Sequence, residues 1–213
     1  METSETTLSL EQFNQLKSEG CPIVDTRMPV EVKKGYIAGS LSVPVESSTS
    51  YTTWVKSIVP VDTKIILICD LGREKDIVSK LTGLGYSNIQ GYLEGGLPTW
   101  VNAGNAIEQY ECIPAQEFAT KLQTKPYVID VREKSAWDKG VLEGANLIGM
   151  NDLVSKVADI PKDHPVYVHC TLGGKSLAAY TTLRAHGLQN VVDIAGGINT
   201  VVAHGAELKP PTY

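Results

Sequence analysis

Short apolar runs rich in Val and Ile alternate along this chain with stretches whose apolar residues recur at helical spacing. Residues 9–20 put Phe13 and Leu16 on one helical face. Ser9 with Gln12 three positions on is the signature of a capping box that opens a helix, and Gly20 ends it. CPIVDT (21–26), KIILIC (64–69), PYVIDV (126–131) and PVYVHC (165–170) predict short buried strands. EKDIVSKLTGLG (74–85) and KSLAAYTTLRAHG (175–187) predict helices that close at Gly85 and Gly187. A last strand follows each, SNIQGY (87–92) or NVVDIA (190–195), and then a Gly-Gly pair. Strand, helix and strand in this rhythm imply a parallel sheet with helices on both faces, an α/β fold.

The pattern occurs twice. EQFNQLKSEGCPIVDTR (11–27) aligns with QEFATKLQTKPYVIDVR (116–132), so that Phe13, Asp25 and Arg27 match Phe118, Asp130 and Arg132, each 105 positions on. GYIAGS (35–40) matches GVLEGA (140–145) at the same spacing. ILICDLG (66–72) and GGL (95–97) match YVHCTLG (167–173) and GGI (196–198) at 101 instead. The first copy therefore holds four extra residues in its middle connection. The polar stretch AGNAIEQYE (103–111) suits a linker, which predicts one domain over 1–106 and a second over 107–213.

Bulk properties narrow the classes. Hydrophobic residues make up 42% and charged residues 20% of 213 residues, enough for two cores. A net charge of −5 argues against a nucleic-acid partner, which calls for clustered Lys and Arg. No apolar run reaches membrane-spanning length, and METSETTLSLEQF lacks the basic and apolar regions of a secretory signal. A cytoplasmic location is expected. The four cysteines, at 21, 69, 112 and 170, show no Cys-x-x-Cys spacing and no zinc-type pattern with His. A disulfide framework is not expected in a reducing compartment. Each cysteine needs its own explanation, and two of them stand at carboxyl ends of strands, where open α/β sheets carry their function.

The Asp-x-Arg strand end (Asp130 to Arg132), the Gly-x-x-x-Gly segment (Gly140 to Gly144), the loop Cys170 to Ser176 and the closing Gly196-Gly197 together resemble a rhodanese, or sulfurtransferase, domain. The resemblance covers nearly the whole chain, twice. It implies two rhodanese-like domains, each a small, mainly parallel five-stranded sheet with helices on both faces. The first copy is further similar to the first rhodanese domain of fusions in which a metallo-β-lactamase-fold persulfide dioxygenase precedes two rhodanese domains. Four scattered histidines (164, 169, 186, 204) cannot supply the dioxygenase iron motif, so that activity is not carried over.

The loop also has a physical reading. Residues 171–176 join a strand to a helix N-terminus, where backbone N–H groups without intrahelical partners can converge on the Cys170 sulfur. Gly173 and Gly174 permit the tight curl, while Lys175 and the helix dipole add positive potential. Such a cradle stabilises an anionic sulfur and attracts an anionic donor such as thiosulfate. The resemblance implies a ping-pong mechanism in which Cys170 takes sulfane sulfur from thiosulfate or glutathione persulfide. It then passes the sulfur to cyanide, glutathione or another thiol, with no metal or organic cofactor required. Cys170 is the expected nucleophile. Thr171, Leu172, Gly173, Gly174, Lys175 and Ser176 are the expected substrate contacts, and Ser176 can also cap the helix. Asp130 and Arg132 are assigned by the resemblance to tying loops together. His169 and the three tryptophans (54, 100, 137) are read as packing residues.

In the first copy the loop reads Cys69-Asp70-Leu71-Gly72-Arg73-Glu74-Lys75. Glu74 stands where the lysine belongs, and Asp70 lies beside the cysteine. Both carboxylates oppose a thiolate there, while Arg73 and Lys75 are each one place off. Cys69 thus marks an altered second site, and copy one is expected to wall the cleft of copy two. A phosphatase or arsenate reductase on the same fold is disfavoured, because the basic residue comes five places after Cys170 rather than six. The remaining alternative is a persulfide relay for specific proteins, with a persulfide dioxygenase as one partner.

Overall fold

The computed structural model describes residues 6–45 and 51–213. The first five residues of METSETTLSLEQF, the stretch in which no secretory signal is read, lie outside that description. The chain divides into two compact units, Met1–Tyr110 and Glu111–Tyr213.

The first unit runs β1 (Thr7–Leu8), α1 (Leu10–Ser18), β2 (Ile23–Asp25), α2 (Pro29–Val32), β3 (Leu41–Ser42), α3 (Tyr51–Ile58), β4 (Ile65–Ile68), α4 (Glu74–Gly83), β5 (Ile89–Leu93) and α5 (Gly96–Asn102). Its five strands are all parallel, in the order β1-β5-β4-β2-β3. The capping box is formed in full: Gln12 N–H donates to Ser9 Oγ at 3.2 Å, and Ser9 N–H donates to Gln12 Oε1 at 2.9 Å. From this start α1 delivers Phe13, fully buried, into a cluster with Ile23, Ile66, Ile68, Leu93 and Trp100 of α5. Burying one such ring contributes roughly 1.5–3 kcal/mol. Ile65 and Leu67 point away from that cluster by strand alternation and are buried as well, so both faces of the sheet are covered.

The second unit repeats this order with β6 (Cys112–Ile113), α6 (Ala115–Lys121), β7 (Tyr127–Asp130), α7 (Lys134–Trp137), β8 (Val141–Leu142), β9 (Asn146–Leu147), α8 (Leu153–Lys156), β10 (Val166–His169), α9 (Gly174–Ala185), β11 (Val191–Ile194), α10 (Gly197–Ala203) and β12 (Leu208–Lys209). Its parallel sheet has the matching order β6-β11-β10-β7-β9, and β12 adds an antiparallel pair with β8. Phe118, Ile194, Ile198 and Val201 fill one face, and α9 lies on β10 and β11 at the other. Each unit is thus the expected α/β fold. The four-residue surplus of copy one falls between β3 and β4, a connection that includes residues 46–50 outside the described part.

Two features common to both units hold the loops near the cysteines. Arg132 grips the fully buried Asp130 in a fork, Nε to Oδ1 at 2.9 Å and Nη2 to Oδ2 at 2.6 Å, and Nη2 also donates to Gly140 O at 2.9 Å. Arg27 repeats this with Asp25 and Gly35 O. The Asp-x-Arg motif is therefore a buried clamp across the following loop, as the resemblance implied. The second feature is the glycine pair. A Cβ on Gly197 would lie 2.5 Å from Cys170 O and 2.7 Å from Thr171 O, and its φ is +67°. Only a glycine lets the α10 N-terminus approach closely enough for Ile198 N–H to donate to Cys170 O at 2.9 Å.

Candidate active site

Cys170 follows β10 at the carboxyl edge of the sheet and is 4% exposed. The chain turns at Gly173, whose φ of +92° places its N–H on the sulfur at 3.1 Å. Ser176, fully buried in the first turn of α9, holds Oγ 3.8 Å from the same sulfur. The helix begins at Gly174, one residue earlier than the sequence suggested, and runs twelve residues, so its positive end faces the sulfur. Gly173 is buried, while Thr171, Leu172 and Gly174 are exposed, Leu172 by 73%. Of the expected substrate contacts, then, Gly173 and Ser176 touch the sulfur, and Thr171, Leu172 and Gly174 form the rim. Lys175 stands on the first turn of α9, but its Nζ is held by the carboxylate of Glu133. The lysine does not present a bare charge, and its partner Glu133 is a residue that the sequence reading missed.

His169 packs beneath the loop, wholly buried, with Nδ1 3.3 Å from Cys170 O. Its Nε2 lies 3.9 Å from Asp130 Oδ2 and makes no hydrogen bond. Burial pushes its pKa below the ordinary value, so the ring is neutral at neutral pH. It is a packed histidine.

The loop of the first unit stands at the same place, after a strand end, and has different chemistry. Cys69 is also 4% exposed, but Gly72 is exposed where Gly173 is buried, and α4 begins a residue later, at Glu74. The Thr26 hydroxyl lies 3.4 Å from Cys69 Sγ and donates to Ile68 O at 2.9 Å; the matching residue of the second unit is Val131. The thiol pKa of Cys69 is pushed up to about 12, first of all by burial; the Thr26 hydrogen bond offsets part of this, and Glu74, Asp25 and Asp70 add to it. The carboxylates thus act in the expected direction but rank behind desolvation. Asp70 accepts the Met28 N–H at 2.9 Å, and Arg73 pairs with Asp76 at 2.9 Å. Arg27, Asp70, Leu71, Leu97, Pro98 and Val101 are among the residues that line a cavity of about 430 Å³ beside the cysteine.

A family model described as a rhodanese-like domain matches residues 9–103 and again 114–204. Among curated relatives, the chain is 32% identical over 95 residues to an adenylyltransferase and sulfurtransferase, uba4, of Ogataea parapolymorpha, covering 44% of this chain and 24% of that one. It is 27% identical over 84 residues to a sulfurtransferase of Allochromatium vinosum, covering 39% and 78%. The chain therefore spans about a quarter of the length of the first of these relatives. A rhodanese-related protein of Thermoplasma volcanium, 28% identical, superposes with a TM-score of 0.45 over 48% of this chain and all of its own. Among the described residues, no helix is long and apolar enough to cross a membrane.

Proposed function

The chain belongs to the rhodanese-like family through both of its halves, and from that premise we propose that it is a sulfurtransferase whose sulfur carrier is Cys170. The observation that carries this reading is the Gly173 N–H aimed at Cys170 Sγ at 3.1 Å, at the N-terminus of α9. An N–H donor and a helix dipole directed at one buried sulfur favour its anionic, nucleophilic form.

The Cys170 thiolate attacks the outer sulfur of the donor. The donor S–S bond breaks, and its electron pair leaves with sulfite or with a thiolate. Cys170 then holds a persulfide anion in the same cradle. An acceptor thiolate or cyanide attacks the terminal sulfur, and the bond pair returns to Cys170. No net oxidation takes place, so neither a metal nor an organic cofactor enters the balance. Leu172, two residues beyond Cys170 and 73% exposed, offers an apolar side chain that a protein bearing the thiol could cover. This supports a relay to a protein acceptor, a persulfide dioxygenase among them, beside turnover of free thiols.

Mass spectrometry after incubation with thiosulfate or glutathione persulfide tests the proposal. One added sulfur on Cys170, absent from Cys170→Ser, is expected. Labelling of Cys69 alone would reverse the assignment of the active copy. Labelling of no cysteine by either donor would remove the sulfurtransferase reading.

A further inference from the structure

The ion pair between Lys175, in the first turn of the helix that follows Cys170, and Glu133 is absent from the first unit in both of its members. Lys175 corresponds to Glu74, and Glu133 corresponds to Met28. The two residues lie 42 positions apart in sequence, yet Nζ of one rests on the carboxylate of the other. Glu133 directly follows Arg132, whose guanidinium is spent on Asp130, Ala136 O and Gly140 O and so does not compete for it. The side chain of Glu133 is 60% exposed and that of Lys175 is 25% exposed, so solvent and ligands reach both. An exposed pair of this kind contributes little to stability. It does, however, change what a charged donor meets on its way to Cys170. A dianion such as thiosulfate must displace the Glu133 carboxylate from Lys175 and remain beside it, with like charges in contact. A group that carries a carboxylate and an ammonium together meets no such conflict: its carboxylate takes Lys175, its ammonium takes Glu133, and one ion pair becomes two.

We propose that Lys175 and Glu133 form a recognition site for the α-amino acid zwitterion of a persulfide donor, and that Glu133 selects such donors over thiosulfate. The inference rests on the sulfurtransferase reading of Cys170. Two sources share this chemistry: cysteine persulfide, whose zwitterion lies close to its sulfur, and glutathione persulfide, whose zwitterion lies at the far end of the γ-glutamyl arm.

The test measures the rate of Cys170 persulfide formation in the full chain, wild type and Glu133→Gln, with four donors. These are thiosulfate, cysteine persulfide, glutathione persulfide and the persulfide of 3-mercaptopropionate, which has a carboxylate and no ammonium. Glu133→Gln is expected to raise the second-order loading rate roughly fivefold for thiosulfate and for mercaptopropionate persulfide, as befits one exposed charge interaction. The thiosulfate gain shrinks as salt is added. The same variant is expected to lower the rate roughly fivefold for one or both zwitterionic donors, and the one more affected shows which arm length the site fits. Lys175→Gln lowers the rate for all four. A Glu133→Gln variant that shifts every donor in the same direction, or none, overturns the proposal and leaves Cys170 as the carrier. Failure of all four donors to load wild-type Cys170 overturns both readings.

Discussion

Cys69 and Cys170 are equally buried, and the difference between their loops can be read as a rate. A thiol with a pKa near 12 is ionised to roughly one part in ten thousand at pH 8, whereas an unperturbed thiol near 8.5 is about a quarter ionised. Alkylation runs through the thiolate, so Cys69 should react with iodoacetamide about three orders of magnitude more slowly than an ordinary accessible thiol. Exposed Cys112 is the internal reference, and peptide mass spectrometry reads both in one sample. Limited access would also slow the reaction, but ionisation control has its own signature: the rate climbs tenfold per pH unit up to pH 11. The perturbation is Glu74→Lys, which installs the residue found at the matching place of the second unit. Reversing that charge is worth on the order of one pK unit, hence about tenfold in rate. Burial, the largest cause of the shift, is untouched, so Cys69 should remain about a hundredfold slower than the reference. Thr26→Val, which removes the hydrogen bond that offsets burial, should slow it further. If Glu74→Lys alone brought Cys69 within a few fold of Cys112, charge rather than desolvation would govern this sulfur. The ranking of causes given above would then be wrong.

Three further outcomes follow from the same geometry. Gly197→Ala meets Cys170 O at 2.5 Å at positive φ, while Gly96→Ala meets Cys69 O at 3.0 Å. The backbone conformation alone costs about 1–2 kcal/mol in each, so urea unfolding should show the larger loss for Gly197→Ala, together with slower loading of Cys170. Asp130→Ala leaves Arg132 buried without its partner and should cost about 3–5 kcal/mol, and Asp25→Ala should cost the same in the first unit. For His169 the folded pKa is depressed, so the unfolded chain binds the extra proton first and stability is lost as pH falls below about 6.5. His169→Ile, the residue found at position 68, should flatten that acid-side loss in urea titrations between pH 7 and pH 5.

Much of the fold was legible because its determinants are local. Ser9 and Gln12 are three residues apart and satisfy each other's backbone, and Gly85 and Gly187 close their helices at positive φ. The duplication then made one half a check on the other. What escaped was contact at long sequence separation. No spacing rule links Glu133 to Lys175, or the Thr26 hydroxyl to Cys69, since each pair meets only once the strand ends stand side by side in the sheet. The two-residue edge strands β1 and β6 escaped for another reason, as two residues are too few to show a period. The order of effects at Cys69 was also hidden: Asp70 and Glu74 are visible in sequence as charges, whereas desolvation is a property of the packed loop.

The two halves therefore separate what holds the loop from what the loop does. The Asp-x-Arg clamp and the glycine that admits the following helix are present in both units, around both cysteine loops. Three residues differ between these loops, Lys175 against Glu74, Ser176 against Lys75 and Glu133 against Met28, while the shared glycine is buried at 173 and exposed at 72. The first unit has none of these three side chains and still forms the same sheet. Their cost in the second unit includes a buried hydroxyl at Ser176 and a carboxylate at the mouth of an anion cradle. Taken together they describe a buried sulfur that accepts an N–H from its own loop, with an ion pair of both signs on the helix that follows.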